Sequence, residues 1–320
     1  MTTVSLHNDD AMPLLGLGTW KSAPREAYDA VSHALRVGYR HIDCAPVYGN
    51  EPEIGQALAD AFAAGVVDRD DVWVVSKLWT DSHAPEDVRP CLEQTLSDLQ
   101  MDGLDLYLIH WPVAQHPQET PHIAESADDL IPLAERPLAE TWRAMEDLVD
   151  DGLVRHLGVS NFSVPKWKHI LDMARLPPEV NQVEMHPYLQ QPDLRTFADA
   201  HDLHITAYSS LGAPDRPPAM KREDEPVLLD DPVVASIAEA HDATPAQVLL
   251  AWALDLGCSV IPKAVHPAHI EENVAAPTVA LTEADHEALA ALDRHYRYVD
   301  GSFWAMPGSP YTVDGIWDAD

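Results

Sequence analysis

The sequence predicts an α/β chain folded as a (β/α)8 barrel of the TIM type, and three observations predict it. Eight short β-rich runs recur along the chain, longer segments of helical period separate them, and each run delivers a polar or aromatic residue near its C-terminal end.

The runs are LLGLGTW (14–20), YRHIDCA (39–45), DVWVVSKLW (71–79), LDLYLIHW (104–111), VRHLGVSNF (154–162), VNQVEMHP (180–187), HITAYSSLG (204–212) and CSVIPK (258–263). Strands of this kind, separated by helices, imply a parallel sheet buried on both faces. The helical segments show apolar spacing near 3.6, as in Val88, Leu92, Leu96 and Leu99, and again in Leu138, Trp142, Met145 and Val149. Eight units favour closure into a barrel; an open doubly wound sheet is the competing arrangement. At 320 residues the whole chain, 1–320, is read as a single barrel domain. Residues 1–13, with an Asn-Asp-Asp turn at 8–10, are expected to form a β-hairpin that plugs the bottom of the barrel. The connections 112–137 and 213–232 exceed simple turns and are expected to act as lids. A helix near 282–294 leads into an irregular, aromatic-rich tail over 301–317, expected to cover the substrate end of the barrel.

Composition narrows the partners. No apolar run approaches the ~18 residues needed to span a bilayer, and the N-terminus lacks the cationic and apolar stretches of a signal peptide, so a soluble, cytoplasmic protein is expected. Cys44, Cys91 and Cys258 are odd in number and far apart, and they read as reduced thiols with no metal site. Acidic residues outnumber basic ones 53 to 20, and a formal charge of −33 disfavours nucleic acid or an anionic membrane as partner. Such a surface repels itself at low ionic strength, which suggests a salt-adapted protein.

Barrel enzymes do their chemistry at the C-terminal ends of the strands, where the loops converge. Those ends carry Trp20, Asp43 with Tyr48 just beyond, Lys77, His110, Ser160 with Asn161, Gln182, Tyr208 with Ser209, and Lys263. Taken singly, each has an ordinary reading: Asp and Lys as turn formers or solvated charges, His110 as a core histidine, Tyr48 as a loop aromatic. Their coincidence on one rim argues otherwise; His41 and Cys44 are read as structural.

The set allows a definite chemistry. A tyrosine is a poor acid at neutral pH, but a neighbouring ammonium stabilises its phenolate; Lys77 can supply that ammonium, with Asp43 as its counter-ion. A neutral imidazole beside the phenol can orient a carbonyl oxygen, and His110 suits that role. This set holds an acid but no hydride source, so a reduction requires a cofactor.

At this point the chain resembles the aldo-keto reductases, specifically the aldose and aldehyde reductase-like branch. The matching stretches are LGLGTWKS (15–22), GYRHIDCAPVYGNEPEIGQAL (38–58), VWVVSKLW (72–79), LDLYLIHWP (104–112), GVSNF (158–162), NQVEMHPYLQQ (181–191), YSSLGAPDRP (208–217) and VIPKAVHPAHIEEN (260–273). The resemblance implies reduction of aldehydes or ketones with a catalytic tetrad of Asp43, Tyr48, Lys77 and His110. It implies that Ser160, Asn161 and Gln182 hold the nicotinamide carboxamide and that Tyr208 stacks on its ring. Ser209 and Leu211 would contact the pyrophosphate, under a lid closed by Lys21 and Asp215 beside Lys263. Thr19, Trp20, Asp43, Ala264, His269, Glu272 and Asn273 complete the implied cofactor contacts. Trp20, Val47, Trp79 and Trp111, with Tyr48 and His110, would form the substrate pocket; core packing is the alternative reading of Trp79 and Trp111.

The run from Gly16 lacks the third glycine of a Rossmann fingerprint and no Walker-type loop occurs, so the cofactor is expected at the barrel's own phosphate site, near a helix starting at Pro267. NADP(H) is expected through Lys263. NAD(H) stays open, because Ala264 and His269 stand where NADPH-preferring relatives carry a hydroxyl and a guanidinium, and imidazole cannot grip phosphate bidentately. Pro218 stands where relatives carry a tryptophan. The expected partner is a small-molecule carbonyl, and the chain is expected to act as a monomer. Two competing readings are a redox-sensing regulatory subunit and a metal hydrolase, the latter with His41 and Asp43 as its nearest approach to a ligand pair.

Overall fold

In the computed structural model, which describes residues 2–318, the chain opens with a hairpin of β1 (Thr3–Ser5) and β2 (Ala11–Pro13), antiparallel in register Val4 to Met12. Then follow β3 (Leu17–Gly18), α1 (Pro24–Val37), β4 (His41–Asp43), α2 (Glu51–Ala63), β5 (Trp73–Leu78), α3 (Pro85–Leu99) and β6 (Leu104–Ile109). A second hairpin, β7 (Ala114–Gln115) and β8 (Leu130–Ile131), interrupts the series. The second half comprises α4 (Leu138–Asp150), β9 (Val154–Ser160), α5 (Val164–Met173), β10 (Val180–Glu184), α6 (Pro192–Ala200) and β11 (His204–Tyr208). It ends with α7 (Pro232–Ala240), α8 (Pro245–Asp255), β12 (Ser259–Val260), α9 (Pro267–Val274), α10 (Glu283–Ala290) and α11 (Val313–Trp317).

Eight strands pair in parallel in the order β3, β4, β5, β6, β9, β10, β11, β12. Parallel bridges from Leu15 to Val260 and from Gly18 to Lys263 join the first strand to the last and close the sheet. The (β/α)8 barrel is therefore the observed fold, and the open sheet is excluded. At the seam, β3 and β12 are only two residues long, shorter than the predicted runs. Glycine is needed there, since a Cβ on Gly18 would lie 2.6 Å from the carbonyl oxygen of Ile261.

The predicted plug is present. Met12 is buried against Trp73, Val75, Leu106, Leu108 and Val180, all projecting inward at the barrel's lower end. His41 ties the hairpin down through its Nδ1, 2.9 Å from the Pro13 carbonyl oxygen, so the structural reading of His41 holds. His156 adds a second tie, with its two ring nitrogens 2.8 Å from Glu179 and 3.0 Å from Asp10.

The tail departs from the irregular segment expected. It contains a single-turn helix, Ser302–Trp304, and α11, which Thr312 caps by accepting from the Gly315 N–H at 2.9 Å. Buried Trp304 and Ile316 anchor it in the core. The hydroxyl of Tyr311 accepts from the Ala114 N–H at 2.9 Å and donates to the Ile131 carbonyl at 2.6 Å, fastening the tail to the β7–β8 hairpin.

Candidate active site

Two-residue periodicity along β5 builds the centre of the site. Val75 pairs with Asp43 in register; two residues on, Lys77 lies on the same inward face, while Ser76 turns out toward α2. The Lys77 side chain has no exposed surface. Its Nζ donates to Asp43 Oδ1 at 2.6 Å and to the Cys44 carbonyl at 2.9 Å, and it lies 3.5 Å from the Tyr48 hydroxyl. The second oxygen of Asp43 accepts from Gln182 Nε2 at 2.7 Å, so this carboxylate is held from both sides.

Tyr48 sits in a single helical turn, Pro46–Tyr48, that follows β4. Its ring meets His110 edge-on with centroids 5.8 Å apart, and His110 in turn meets Trp79 at 5.0 Å. Burial pushes the Tyr48 phenol well above its ordinary value, and the charge of Asp43 adds to the rise. The sequence reading expected the opposite direction. It paired Lys77 with Asp43 but let the ammonium outweigh its counter-ion, whereas burial and the Asp43 charge both favour the protonated phenol. Burial also holds His110 well below the usual histidine range, with Lys77 contributing, so the imidazole is neutral. Its buried Nδ1 lacks a partner. Placing the ring proton on Nε2 therefore leaves only a lone pair unsatisfied.

Around this centre runs a cavity of about 940 Å³. Every residue assigned above to chemistry, cofactor or substrate lines it, with the exception of Lys77, which lies behind Asp43 and Tyr48. Along one wall Ser160 Oγ donates to the Gln182 carbonyl at 2.8 Å and Asn161 Nδ2 to the His110 carbonyl at 2.9 Å. Asn161 Oδ1 accepts from the Tyr208 hydroxyl at 2.7 Å. Asn161 and Ser209 both adopt left-handed backbone (φ 63° and 50°), turning the chain sharply as it leaves β9 and β11.

At the other end, Lys21 Nζ donates to Asp215 Oδ1 at 2.7 Å, and Lys263 approaches Asp215 Oδ2 at 3.4 Å. Burial alone would raise the Asp215 carboxyl; the two ammoniums outweigh it and hold it below the usual range. Helix α9 begins here, with Pro267 in its first turn and His266 and His269 lining the cavity. The donors present fit a dinucleotide: two lysines and a helix N-terminus for phosphate, amide and hydroxyl groups for a carboxamide, and an aromatic ring beside them.

Sequence reasoning missed several contributors. His122 and Ile123 come from the 112–137 connection, Met220 from the 213–232 connection, Val299 from just before the tail and Phe303 from the tail itself. Trp79 Nε1 and Gln115 Nε2 both donate to the His122 carbonyl, at 2.9 and 3.0 Å, which draws that connection over the pocket. Pro218, by contrast, is exposed and does not line the cavity. Asn50 was also overlooked: fully buried, it donates to the Thr19 and Ser22 carbonyls at 2.9 and 3.0 Å and so pins the loop after β3. Glu51, one residue on, accepts from Ser76 Oγ at 2.6 Å and Thr95 Oγ1 at 3.2 Å, and burial pushes its carboxyl up to about 7. An acid in the first turn of a helix normally reads as a solvated charge, so only its neighbour in the Gly-Asn-Glu stretch hinted at it.

Comparison with known proteins agrees in extent with this architecture. The model of the Aldo/keto reductase family matches residues 14–294. An aldo/keto reductase of Synechocystis sp. is 54% identical over 313 residues, covering 98% of this chain and 95% of that protein. Aldo-keto reductase family 1 member A1 is 46% identical in both Rattus norvegicus and Homo sapiens, over 93% and 92% of this chain and 91% and 90% of those proteins.

Proposed function

The chain belongs to the aldo/keto reductase family, and from that premise we propose that it reduces aldehydes or ketones to alcohols, with Tyr48 as the proton donor and NADP(H) as the preferred cofactor. The observation that carries this reading is the cluster of buried Asp43, Lys77 and His110 with half-buried Tyr48 at the wall of the cavity.

Lys21, Lys263 and the start of α9 would take the phosphates, and Ser160, Asn161 and Gln182 would take the carboxamide beside Tyr208. When bound there, the nicotinamide supplies the hydride that the protein's own side chains lack. The residues of the chain handle the oxygen. A carbonyl oxygen between Tyr48 and His110 would accept from the phenol and from the neutral imidazole, two donors at an apolar wall. A phenol kept protonated by burial releases its proton only when negative charge develops on that oxygen. The resulting phenolate then faces the Lys77 ammonium, and Asp43 with Gln182 keeps the lysine in place.

The cofactor preference rests on Lys263 as the remaining permanent cation near Ala264 and His269, with NAD(H) as the weaker alternative. A steady-state assay of a simple aldehyde with NADPH and with NADH, following loss of reduced nicotinamide absorbance, tests both parts. Turnover with a higher kcat/KM for NADPH is expected. No turnover with either overturns the reductase assignment, and a preference for NADH overturns the cofactor assignment.

A further inference from the structure

We propose that the substrates of this site are uncharged carbonyls with an aryl or alkyl body, and that carbonyls bearing a further carboxylate are rejected because, among the described residues, no lysine or arginine stands at the substrate end of the cavity to receive one. The proposal rests on the reductase reading and specifies which carbonyls it applies to.

The substrate end is walled by Trp79, Trp111, Ile123, Val299 and Phe303. Among the described residues, the only lysines or arginines that line the cavity are Lys21 and Lys263, and both converge on Asp215 at the opposite end. Lys77 does not reach the surface, and its hydrogen bonds go to Asp43 and the Cys44 carbonyl. Arg297 lies against the Trp317 ring, 3.5 Å from its centroid, and does not line the cavity. The imidazole of His110 is neutral and His122 Nδ1 is engaged by the Thr120 carbonyl at 2.8 Å. A carboxylate carried on the far side of a substrate from its carbonyl would lose water among these aromatic and aliphatic walls with no lysine or arginine to pair with, which is a heavy penalty for an ion.

The segments around the mouth point the same way. The 112–137 connection carries five acidic residues against one arginine, Arg136, and residues 298–318 carry three aspartates with no lysine, arginine or histidine. Together with the overall charge of −33 they place the mouth in a negative field that repels anions before they enter. The two effects respond differently to salt: the long-range field is screened, and the desolvation penalty inside the pocket is not.

The test is a matched pair, benzaldehyde and 4-carboxybenzaldehyde, assayed with the wild-type protein and cofactor at about 0.1 M and about 1 M KCl. The expected result is a kcat/KM at least roughly tenfold higher for benzaldehyde at low salt, narrowing at high salt but persisting. Phe303→Arg, whose guanidinium can lie over the Trp111 ring that the phenyl now meets edge-on, should raise kcat/KM for the carboxylated aldehyde at both salts; Val47→Lys is the second variant if that one fails to fold. Values for the two aldehydes within about threefold of each other in the wild type overturn the proposal, as do folded variants that gain nothing. Turnover of neither aldehyde removes the reductase reading itself, and this proposal with it.

Discussion

Lys77 Nζ lies 3.5 Å from the Tyr48 hydroxyl and 2.6 Å from Asp43 Oδ1, so a single buried ammonium links the proposed proton donor to its counter-ion. In the free protein burial, with the Asp43 charge adding to it, keeps the phenol protonated. The lysine therefore acts after the proton has left, on the phenolate, and sets how easily Tyr48 can give its proton away.

Replacing Lys77 with methionine keeps the bulk of the side chain and removes the charge. Turnover should fall by about a hundredfold or more, because Tyr48 must then form an uncompensated phenolate. Asp43 would also be left buried with Gln182 alone, at a cost of roughly 3–5 kcal/mol in stability. Steady-state kinetics and chemical denaturation check the two effects, and unchanged kcat would remove Lys77 from the mechanism.

Glu51 gives a pH signature in stability. Its folded value, about 7, lies above the ordinary 4.5, so its contribution is fully present below the ordinary value and is lost as pH rises toward 7. Glu51→Gln keeps the contacts to Ser76 and Thr95 and removes the titration. The variant should overtake the wild type in stability by pH 8, with an upper bound on the order of 3 kcal/mol. His156, whose hydrogen bonds to Glu179 and Asp10 outweigh burial and raise it, shifts stability with the same sign. It is common to both proteins, so the difference between their denaturation curves at pH 5 and pH 8 isolates Glu51. Equal pH dependence would show that this carboxyl does not titrate in that window.

The acidic surface predicts a dependence on salt. With 53 acidic and 20 basic residues, raising KCl from about 0.1 M to about 1 M shortens the Debye length from about 10 Å to about 3 Å and screens the self-repulsion. Melting temperature should rise over that range. A flat or falling curve, measured by calorimetry, would remove salt adaptation from the account.

The eight strands and their order were legible because buried parallel strands and amphipathic helices leave distinct periods, and the tetrad was placed because strand ends point to one rim. The direction in which Tyr48 shifts was not legible, since it depends on how Asp43 and burial compete at distances that only the folded chain sets. Val299, Phe303 and His122 reach the cavity from irregular segments with no period, where length and aromatic content mark a segment without marking a residue. The tail helix escaped for a related reason: α11 is five residues long, held by a threonine cap, by buried Ile316 and by Trp317 against Trp111.

Tyr48→Phe tests the central claim most directly, because it removes one oxygen and leaves the ring that meets His110. Cofactor titration followed by protein fluorescence, beside single-turnover reduction of an aldehyde, should show a dissociation constant within about threefold of wild type and turnover reduced by roughly a thousandfold or more. Turnover near the wild-type rate in a folded, cofactor-binding variant would contradict the assignment of Tyr48 as the proton donor.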